Sequence, residues 1–331
     1  MRTRSFVRLL RRLVTPRAKT RRAIAAFLKP AAKPAPATFG SNPGALRMQT
    51  YAPPRLPPGR ALIVVLHGCG QSAATFASDA GWIAVADALR LTLLLPEQTH
   101  ENNRGGCFNW FRADDTRRGS GEAMSIRQMI RASVKRFGSD PRQIFVVGFS
   151  AGGGMAAALL AAYPALFAAG AVVAGMPVGC ASSVAGAMLR MRRADTGRTR
   201  QLLANDVRSV TGSAARKSWP RLSIWQGERD RTVDPANAEV LAKQWSELQG
   251  HTAEPTSDRA EPGARHRAWG WPNRPESVEL WTIAALGHGF PVDSRTPGGG
   301  RAGAWVSDGG PNAAGLIAAF WGLHGTGAGS E

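Results

Sequence analysis

The chain has 331 residues, of which 44% are hydrophobic and 20% are charged, and it carries a net charge of +19. A chain of this size can bury the core of a large α/β fold as one domain, and the lack of a repeat of 20 to 50 residues disfavours a solenoid. A charge of +19 would suggest nucleic-acid binding if it were spread over the whole chain.

The positive charge is concentrated at the N-terminus. Residues 1–60 hold 14 of the 42 Lys and Arg residues and none of the 23 acidic ones, so the rest of the chain carries only +5. This distribution disfavours nucleic acid as a partner. Five apolar residues recur at helical spacing before Pro16, with arginines on the opposite face: Phe6, Leu9, Leu10, Leu13 and Val14.

This pattern predicts a short basic amphipathic helix, followed by a Pro/Ala linker, in a tail that spans residues 1–44. Arg11 and Arg12 interrupt the apolar run that a cleavable secretory signal requires, and no stretch of the chain is long enough to cross a membrane. The domain that follows is expected to span residues 45–331.

The first strong strand covers residues 62–66 and leads into the loop His67-Gly-Cys-Gly-Gln71. Glycine-rich loops at strand ends can direct backbone N–H groups towards a developing anion, and the N–H of Cys69 is the best placed for this. His67 is expected to shape the loop through local hydrogen bonds. A second strand near residues 91–95 precedes the sequence Asn109-Trp110-Phe111, which either binds substrate or packs as an aromatic pair in the core.

A nucleophile elbow is indicated by Gly148-Phe-Ser150-Ala-Gly152, which follows the strand 144–147 and precedes a helix-forming run. Glycine on both sides lets the strand and helix pass closely while the serine side chain stays accessible. We predict Ser150 as the nucleophile and the N–H of Ala151 as the second oxyanion donor.

The catalytic acid should follow the strand 222–226, where Glu228, Asp230 and Asp234 compete for the role. Asp234 precedes Pro235 and a helical stretch, so it is better explained as a helix cap. Asp230 stands a short turn after the strand and is favoured over Glu228.

The general base should follow the last strand, near residues 279–284. His288 lies there between two glycines, and none of the other five histidines has this setting. Together with a strand near residues 171–174, the strands alternate with helices and predict an α/β-hydrolase fold, a doubly wound and mostly parallel sheet. Residues 184–218 are expected to form a small helical cap or a surface excursion, and residues 251–275 a polar insertion.

Several motifs together resemble the poly(3-hydroxybutyrate) depolymerase family of esterases, whose superfamily branch includes feruloyl and acetylxylan esterases. The resemblance covers roughly residues 45–324 and departs from the family pattern at Gln226, where histidine is frequent. It is carried by His67–Gln71, Asn102–Phe111, Gly119–Met129, Gly148–Gly154, Ala174–Cys180 and Gly287–Val292.

The resemblance implies a triad of Ser150, Asp230 and His288, no cofactor and an extracellular enzyme acting on short-chain polyhydroxyalkanoate or related esters. The tail would then bind an anionic membrane or polyester granule through residues 1–28, or act as a solubilising arm. Cys69 and Cys107 lie in these motifs and could form a disulfide beside the site, with Cys180 left free. The alternative is three reduced thiols, and no metal site is indicated.

Two other functions remain open from the sequence. One is a carbohydrate esterase that removes feruloyl or acetyl groups on the same fold. The other is a non-catalytic surface-binding protein, which the complete set of Ser150, Asp230 and His288 disfavours.

Overall fold

A computed structural model describes residues 39–211 and 218–324. Its strands are β1 (Arg47–Tyr51), β2 (Leu62–Leu66), β3 (Thr92–Glu97), β4 (Ile144–Phe149), β5 (Ala169–Val173), β6 (Arg221–Gly227), β7 (Ser257–Glu261), β8 (Ala264–Trp269), β9 (Val278–Ile283), β10 (Phe290–Val292) and β11 (Val306–Asp308). Its helices are α1 (Ala73–Asp79), α2 (Trp82–Leu89), α3 (Ala113–Thr116), α4 (Gly121–Phe137), α5 (Ala151–Ala162), α6 (Val184–Arg192), α7 (Arg200–Thr211), α8 (Ala236–Leu248) and α9 (Ala313–Phe320).

The main sheet has the strand order β1-β3-β2-β4-β5-β6-β9-β8-β7. Pairing is parallel from β3 through β9, and antiparallel strands close both edges. The central strands β2, β4 and β5 are buried along their whole length, as expected for a parallel sheet covered on both faces. The architecture confirms the predicted α/β-hydrolase fold.

Alternate residues of each strand point into two separate cores. Val64 and Leu66 pack with α4, α5, α7 and α8 on one face, while Ile63 and Val65 pack with α1, α2 and α9 on the other. Because all central strands run in the same direction, the loops after them meet at one edge of the sheet, and the predicted site residues lie in those loops.

Residues 251–275 differ from the polar insertion that the sequence suggested. They contain the hairpin β7–β8, which extends the sheet beyond β9. In β8, His266 and Ala268 are buried while Arg265 is exposed and Arg267 is half-buried. The period of two is present, but the arginines on the outer face favoured the interpretation as a polar insertion.

The expected cap divides into two parts with different packing. Helix α7 buries Leu203, Ala204 and Val207 and packs against α5 and α8, so it belongs to a helical layer and does not cover the strand ends. Helix α6 is attached at its C-terminal end to the loop that follows β6, where the Met191 carbonyl accepts a bond from the Asp234 N–H.

The folded domain begins earlier than the predicted residue 45. Phe39 packs against the core, and the Gly44 N–H donates to the buried Ser125 hydroxyl at 2.8 Å. The amphipathic helix and most of the linker predicted for residues 1–44 lie outside the described residues. Within the described ranges, every helix is too short or too polar to cross a membrane.

Candidate active site

Ser150 lies on the tight turn between β4 and α5, with φ of 55° and ψ of −118°. This conformation is unfavourable for a residue with a side chain and is maintained here by close packing of the backbone around it. A Cβ at Gly148 would lie 2.0 Å from the Gly152 carbonyl oxygen, and one at Gly152 would lie 2.4 Å from the Leu66 carbonyl oxygen. Only glycine fits at both positions, as the sequence motif indicated.

The structure brings Ser150, His288 and Asp230 together from three separate strand ends. His288 Nε2 lies 3.0 Å from Ser150 Oγ, and its Nδ1 lies 2.7 Å from Asp230 Oδ2. The imidazole ring packs against Phe149 on one side and Trp305 on another. A serine, an imidazole and a buried carboxylate in this order have the geometry needed to activate a hydroxyl for nucleophilic attack.

The Asp230 carboxylate is held in its ionised form by its surroundings. Burial acts to raise its pKa, but hydrogen bonds from His288 and from the Val233 and Thr232 N–H groups outweigh burial and lower the pKa below its ordinary value. The Gln226 side chain donates a further bond to Asp230 Oδ2 at 3.0 Å. Asp230 can therefore stabilise a positive charge on His288.

The competing acids have other positions. Asp234 accepts bonds from the N–H groups of Ala236 and Ala194, so its carboxylate caps the start of α8 and holds the end of α6. Glu228 is exposed. Among the histidines, His266 is buried against Glu279, and its Nε2 lies 2.8 Å from that carboxylate.

His67 shapes the loop after β2, as expected. Its Nε2 accepts a bond from the Gln98 N–H at 3.1 Å, so its Nδ1 carries the proton and donates to the Gly68 carbonyl at 2.7 Å. Burial lowers the pKa of His67, which keeps the ring neutral. A neutral ring can both accept and donate, and this is what the two contacts require.

Some backbone N–H groups of the loop after β2 donate hydrogen bonds within the protein, and others do not. The Gly68 N–H donates to the Gln71 side chain, and the Gly70 N–H donates to the Gly106 carbonyl. In the described part of the chain, the N–H groups of Cys69 and Ala151 have no hydrogen-bond acceptor. An oxyanion hole needs free donors, so these two groups have the availability that the sequence-based assignment requires.

Cys69 and Cys107 form a disulfide that joins the loop after β2 to the loop after β3. Cys180 is a free thiol, and burial raises its pKa to about 12, so it is a weak nucleophile.

The aromatic segment has divided roles. Asn109 is buried, and its side chain bonds to Glu122 and Asn103, so it does not face a substrate. Trp110 is half-buried and packs against Gly154, where a Cβ would lie 2.8 Å from the indole. Phe111 meets Trp110 edge to face. Of the three predicted substrate-binding residues, Trp110 and Phe111 are the two with accessible surface.

Sequence reasoning missed residues that connect the site loops. The Gln71 side chain accepts from the Gly68 N–H and donates to the Ala304 carbonyl, which ties the loop after β2 to the segment that carries Trp305. Trp305 has a positive φ of 61° and is 53% exposed beside His288. Their partners are more than 200 residues away or in irregular loops, so no local sequence pattern marked them.

The sequence is similar to those of known ester hydrolases. Residues 47–268 match the family model described as esterase PHB depolymerase. The poly(3-hydroxyalkanoate) depolymerase C of Paucimonas lemoignei is 34% identical over 296 residues, which cover 87% of this chain and 69% of that protein.

Esterases with other substrates are also similar. Feruloyl esterase B of Talaromyces stipitatus is 31% identical over 64% of this chain, and the match spans 60% of the relative's length. Among solved structures, the acetyl xylan esterase from Aspergillus awamori superposes with a TM-score of 0.69 at 25% identity, covering 76% of this chain and 91% of that one.

Proposed function

Because the chain belongs to the esterase PHB depolymerase family and is a carboxylic ester hydrolase, we propose that it cleaves its ester through an acyl-enzyme formed on Ser150. The observation that carries the proposal is the hydrogen-bonded series from Ser150 through His288 to Asp230, with distances of 3.0 and 2.7 Å. In this proposal, Ser150 is the nucleophile, His288 the general base and Asp230 the acid that orients it.

The reaction proceeds in two halves. Ser150 Oγ attacks the ester carbonyl carbon while His288 Nε2 takes the hydroxyl proton, and the resulting imidazolium is stabilised by the Asp230 carboxylate. His288 then returns the proton to the departing alcohol, which leaves the acyl group on Ser150. In the second half, His288 deprotonates a water molecule that attacks the acyl-enzyme and releases the acid.

The tetrahedral intermediates carry a negative oxygen that needs hydrogen-bond donors. The N–H groups of Ala151 and Cys69 serve this role in our proposal, because both are free of other acceptors within the described residues. Loss of one such donor costs other hydrolases about 3 kcal/mol of transition-state stabilisation.

We propose short-chain polyhydroxyalkanoate as the substrate. Support comes from the 34% identity to the Paucimonas lemoignei depolymerase and from Trp305, which packs against His288 and is 53% exposed. Val184, Met188 and Leu189 of α6 are 59, 48 and 57% exposed. Helix α6 is bonded through the Met191 carbonyl to the loop after β6, the loop that carries Asp230. Exposed apolar side chains of this kind suit a water-insoluble polyester better than a hydrated polysaccharide.

Parallel hydrolysis assays test the substrate class. The purified enzyme would be given poly(3-hydroxybutyrate) particles, a soluble hydroxybutyrate oligomer, a short p-nitrophenyl ester, a feruloylated sugar and an acetylated xylan. We expect the polymer and oligomer to be turned over with kcat/KM well above that of the sugar esters. Preference for the feruloyl or acetyl substrate would assign the chain to the carbohydrate esterase alternative.

The location of the enzyme and the role of the tail are parts of the same proposal. A disulfide beside the site is typical of proteins in oxidising compartments, which supports an extracellular enzyme. The basic residues of segment 1–28 suit an anionic membrane or the surface of a polyester granule.

A further inference from the structure

Glu122 is a buried carboxylate that takes no part in the proposed reaction. It lies in the first turn of α4 with no accessible surface. Its two oxygens accept four N–H groups, which belong to the side chains of Gln98, Asn102 and Asn109 and to the backbone of Asn109. The four donor distances lie between 2.6 and 3.1 Å.

All four donors come from the segment between β3 and α3, which we call the 98–109 loop. Gln98 also donates to the Cys107 carbonyl, and Asn103, which is bonded to Asn109, accepts a bond from the Cys107 N–H. Glu122 and its amide partners therefore fix the backbone on both sides of Cys107.

The 98–109 loop is joined in two ways to the loop after β2, which carries the proposed oxyanion donor. Cys107 forms the disulfide with Cys69, whose N–H is the proposed donor. The Gln98 N–H donates to His67, and His67 in turn donates to the Gly68 carbonyl, which belongs to the peptide that carries the Cys69 N–H. Both connections reach Cys69, one through its side chain and the other through the peptide group that carries its N–H.

The ionised form of Glu122 is the form that can accept all four bonds, because a protonated carboxyl would direct an O–H group towards amide donors. Burial and the nearby Asp115 carboxylate of α3 raise the pKa of Glu122 to about 8, while the bonds from Asn109, Gln98 and Asn102 oppose this rise. Burial raises the pKa of Asp115, and this rise is opposed by the bond from the Glu122 N–H and by Arg112, while Asp114 adds to it. His67, directly after β2, is linked to this group through the Gln98 N–H, and burial lowers its pKa.

We propose that Glu122 is a positioning residue for ester hydrolysis. Its carboxylate, acting through the 98–109 loop and the Cys69–Cys107 bridge, holds the Cys69 N–H where the oxyanion forms. This inference rests on the proposed function, since it assumes that the Cys69 N–H stabilises the intermediate.

The proposal predicts opposite effects of pH on stability and on turnover. Because the folded-state pKa lies above the ordinary 4.5, the protonated form stabilises the fold, and this contribution is lost as pH rises from about 4.5 through about 8. The ionised form positions the loop, so kcat should rise over the upper part of that window. In a purely structural role, activity would follow stability.

Two isosteric substitutions in the full chain separate positioning from burial. Glu122→Gln removes the charge that the four donors share, and Glu279→Gln removes another buried carboxylate, which bonds to Ser223, His266 and Trp281 away from the site. For each variant, kcat and KM for a short p-nitrophenyl ester would be measured between pH 6 and 9.5, together with the rate of Ser150 labelling by a fluorophosphonate. Thermal unfolding of each variant would be followed over the same pH range.

We expect Glu122→Gln to lower kcat and the labelling rate by about 10- to 100-fold with KM within about twofold, and to lose the ionisation near pH 8. Glu279→Gln should keep the wild-type kcat and pH profile. Unchanged kcat in Glu122→Gln, or an equal loss in both variants, would overturn the proposal while leaving the esterase function itself supported by the active wild type.

If Glu122→Gln does not fold, Asn102→Ala provides the test. It removes one of the four donors from a half-buried position on the 98–109 loop. A several-fold lower kcat at unchanged KM supports positioning, and a wild-type kcat overturns it.

Discussion

At the scale of single residues, the chemistry depends on which carboxylate faces His288. Asp230 is buried, bonded to His288 and held ionised, whereas Asp234 is bonded to backbone N–H groups at the start of α8. Their positions four residues apart make them a matched pair for mutagenesis. Gln226, near the end of β6, donates a hydrogen bond to the Asp230 carboxylate.

Asp230→Asn should lower kcat by about 10⁴-fold, because an amide can favour the wrong imidazole tautomer and cannot stabilise the imidazolium. Asp234→Asn should leave kcat within about threefold and lower the midpoint of thermal unfolding, since it weakens the cap of α8. Steady-state hydrolysis of a short p-nitrophenyl ester and thermal unfolding measure both effects. A large loss of kcat in Asp234→Asn, together with a wild-type kcat in Asp230→Asn, would make Asp234 the catalytic acid instead.

At the scale of elements, the loops that follow the strands are joined to one another by more than packing. The Cys69–Cys107 bridge connects the loop after β2 to the loop after β3, and the Gln71 side chain connects the former to the segment before β11. A hydrogen bond from the Asp234 N–H to the Met191 carbonyl connects helix α6 to the loop after β6. These connections explain how irregular loops keep Ser150, His288 and Asp230 within hydrogen-bonding distance of one another.

Replacing Cys69 and Cys107 together by alanine should reduce the free energy of unfolding by up to about 4 kcal/mol, the loop-closure estimate for cysteines 38 residues apart. It should also lower kcat, because the Cys69 peptide loses its covalent support. Cys180→Ala is the control and should change neither quantity appreciably. Chemical unfolding and ester hydrolysis measure the two effects. Wild-type kcat in the double variant would show that the bridge does not position the site.

Exchanging Val184 and Leu189 of α6 for serine should reduce the turnover of polyester particles at least several-fold while leaving soluble-ester kcat/KM unchanged, because both side chains are exposed and apolar. Leu316→Ser on α9 is a control for loss of an exposed leucine at another place on the surface. Particle clearance and p-nitrophenyl ester assays would be run side by side. Equal effects on both substrates would contradict a role in contacting the polymer.

The sequence was most informative where local pattern and fold agree. Six strands were predicted close to their observed bounds, because buried parallel strands are short and nearly continuous apolar runs. The hairpin β7–β8 was not predicted. An edge hairpin exposes many charged residues, so its sequence resembles that of a polar insertion. The buried role of Asn109 was missed as well, because its partner Glu122 lies on a helix and no sequence spacing encodes that contact.

At the scale of the whole molecule, a closely packed domain is preceded by a basic segment. The described domain begins by Phe39. Most of the excess positive charge lies in residues 1–60, which hold 14 Lys and Arg residues and no acidic ones. Such a division separates two properties that can be measured independently, ester hydrolysis and adsorption to an anionic surface.

A variant lacking residues 1–38 should keep the soluble-ester kcat/KM, because the site residues and the Phe39 contacts remain. It should co-sediment less with anionic vesicles than the full chain, and the difference should shrink as salt is added. Neutral vesicles provide the control. Identical partitioning of both forms at low salt would leave the tail with the solubilising role.

The proposed reaction depends on Ser150 being the nucleophile of an ester hydrolase. Incubation with a fluorophosphonate, followed by peptide mass spectrometry, identifies the nucleophile. We expect one covalent adduct on Ser150, appearing in step with loss of p-nitrophenyl ester hydrolysis, and a labelling rate that falls by orders of magnitude in His288→Ala. Full hydrolysis by Ser150→Ala, or an inactivating adduct on another residue, would contradict this proposal.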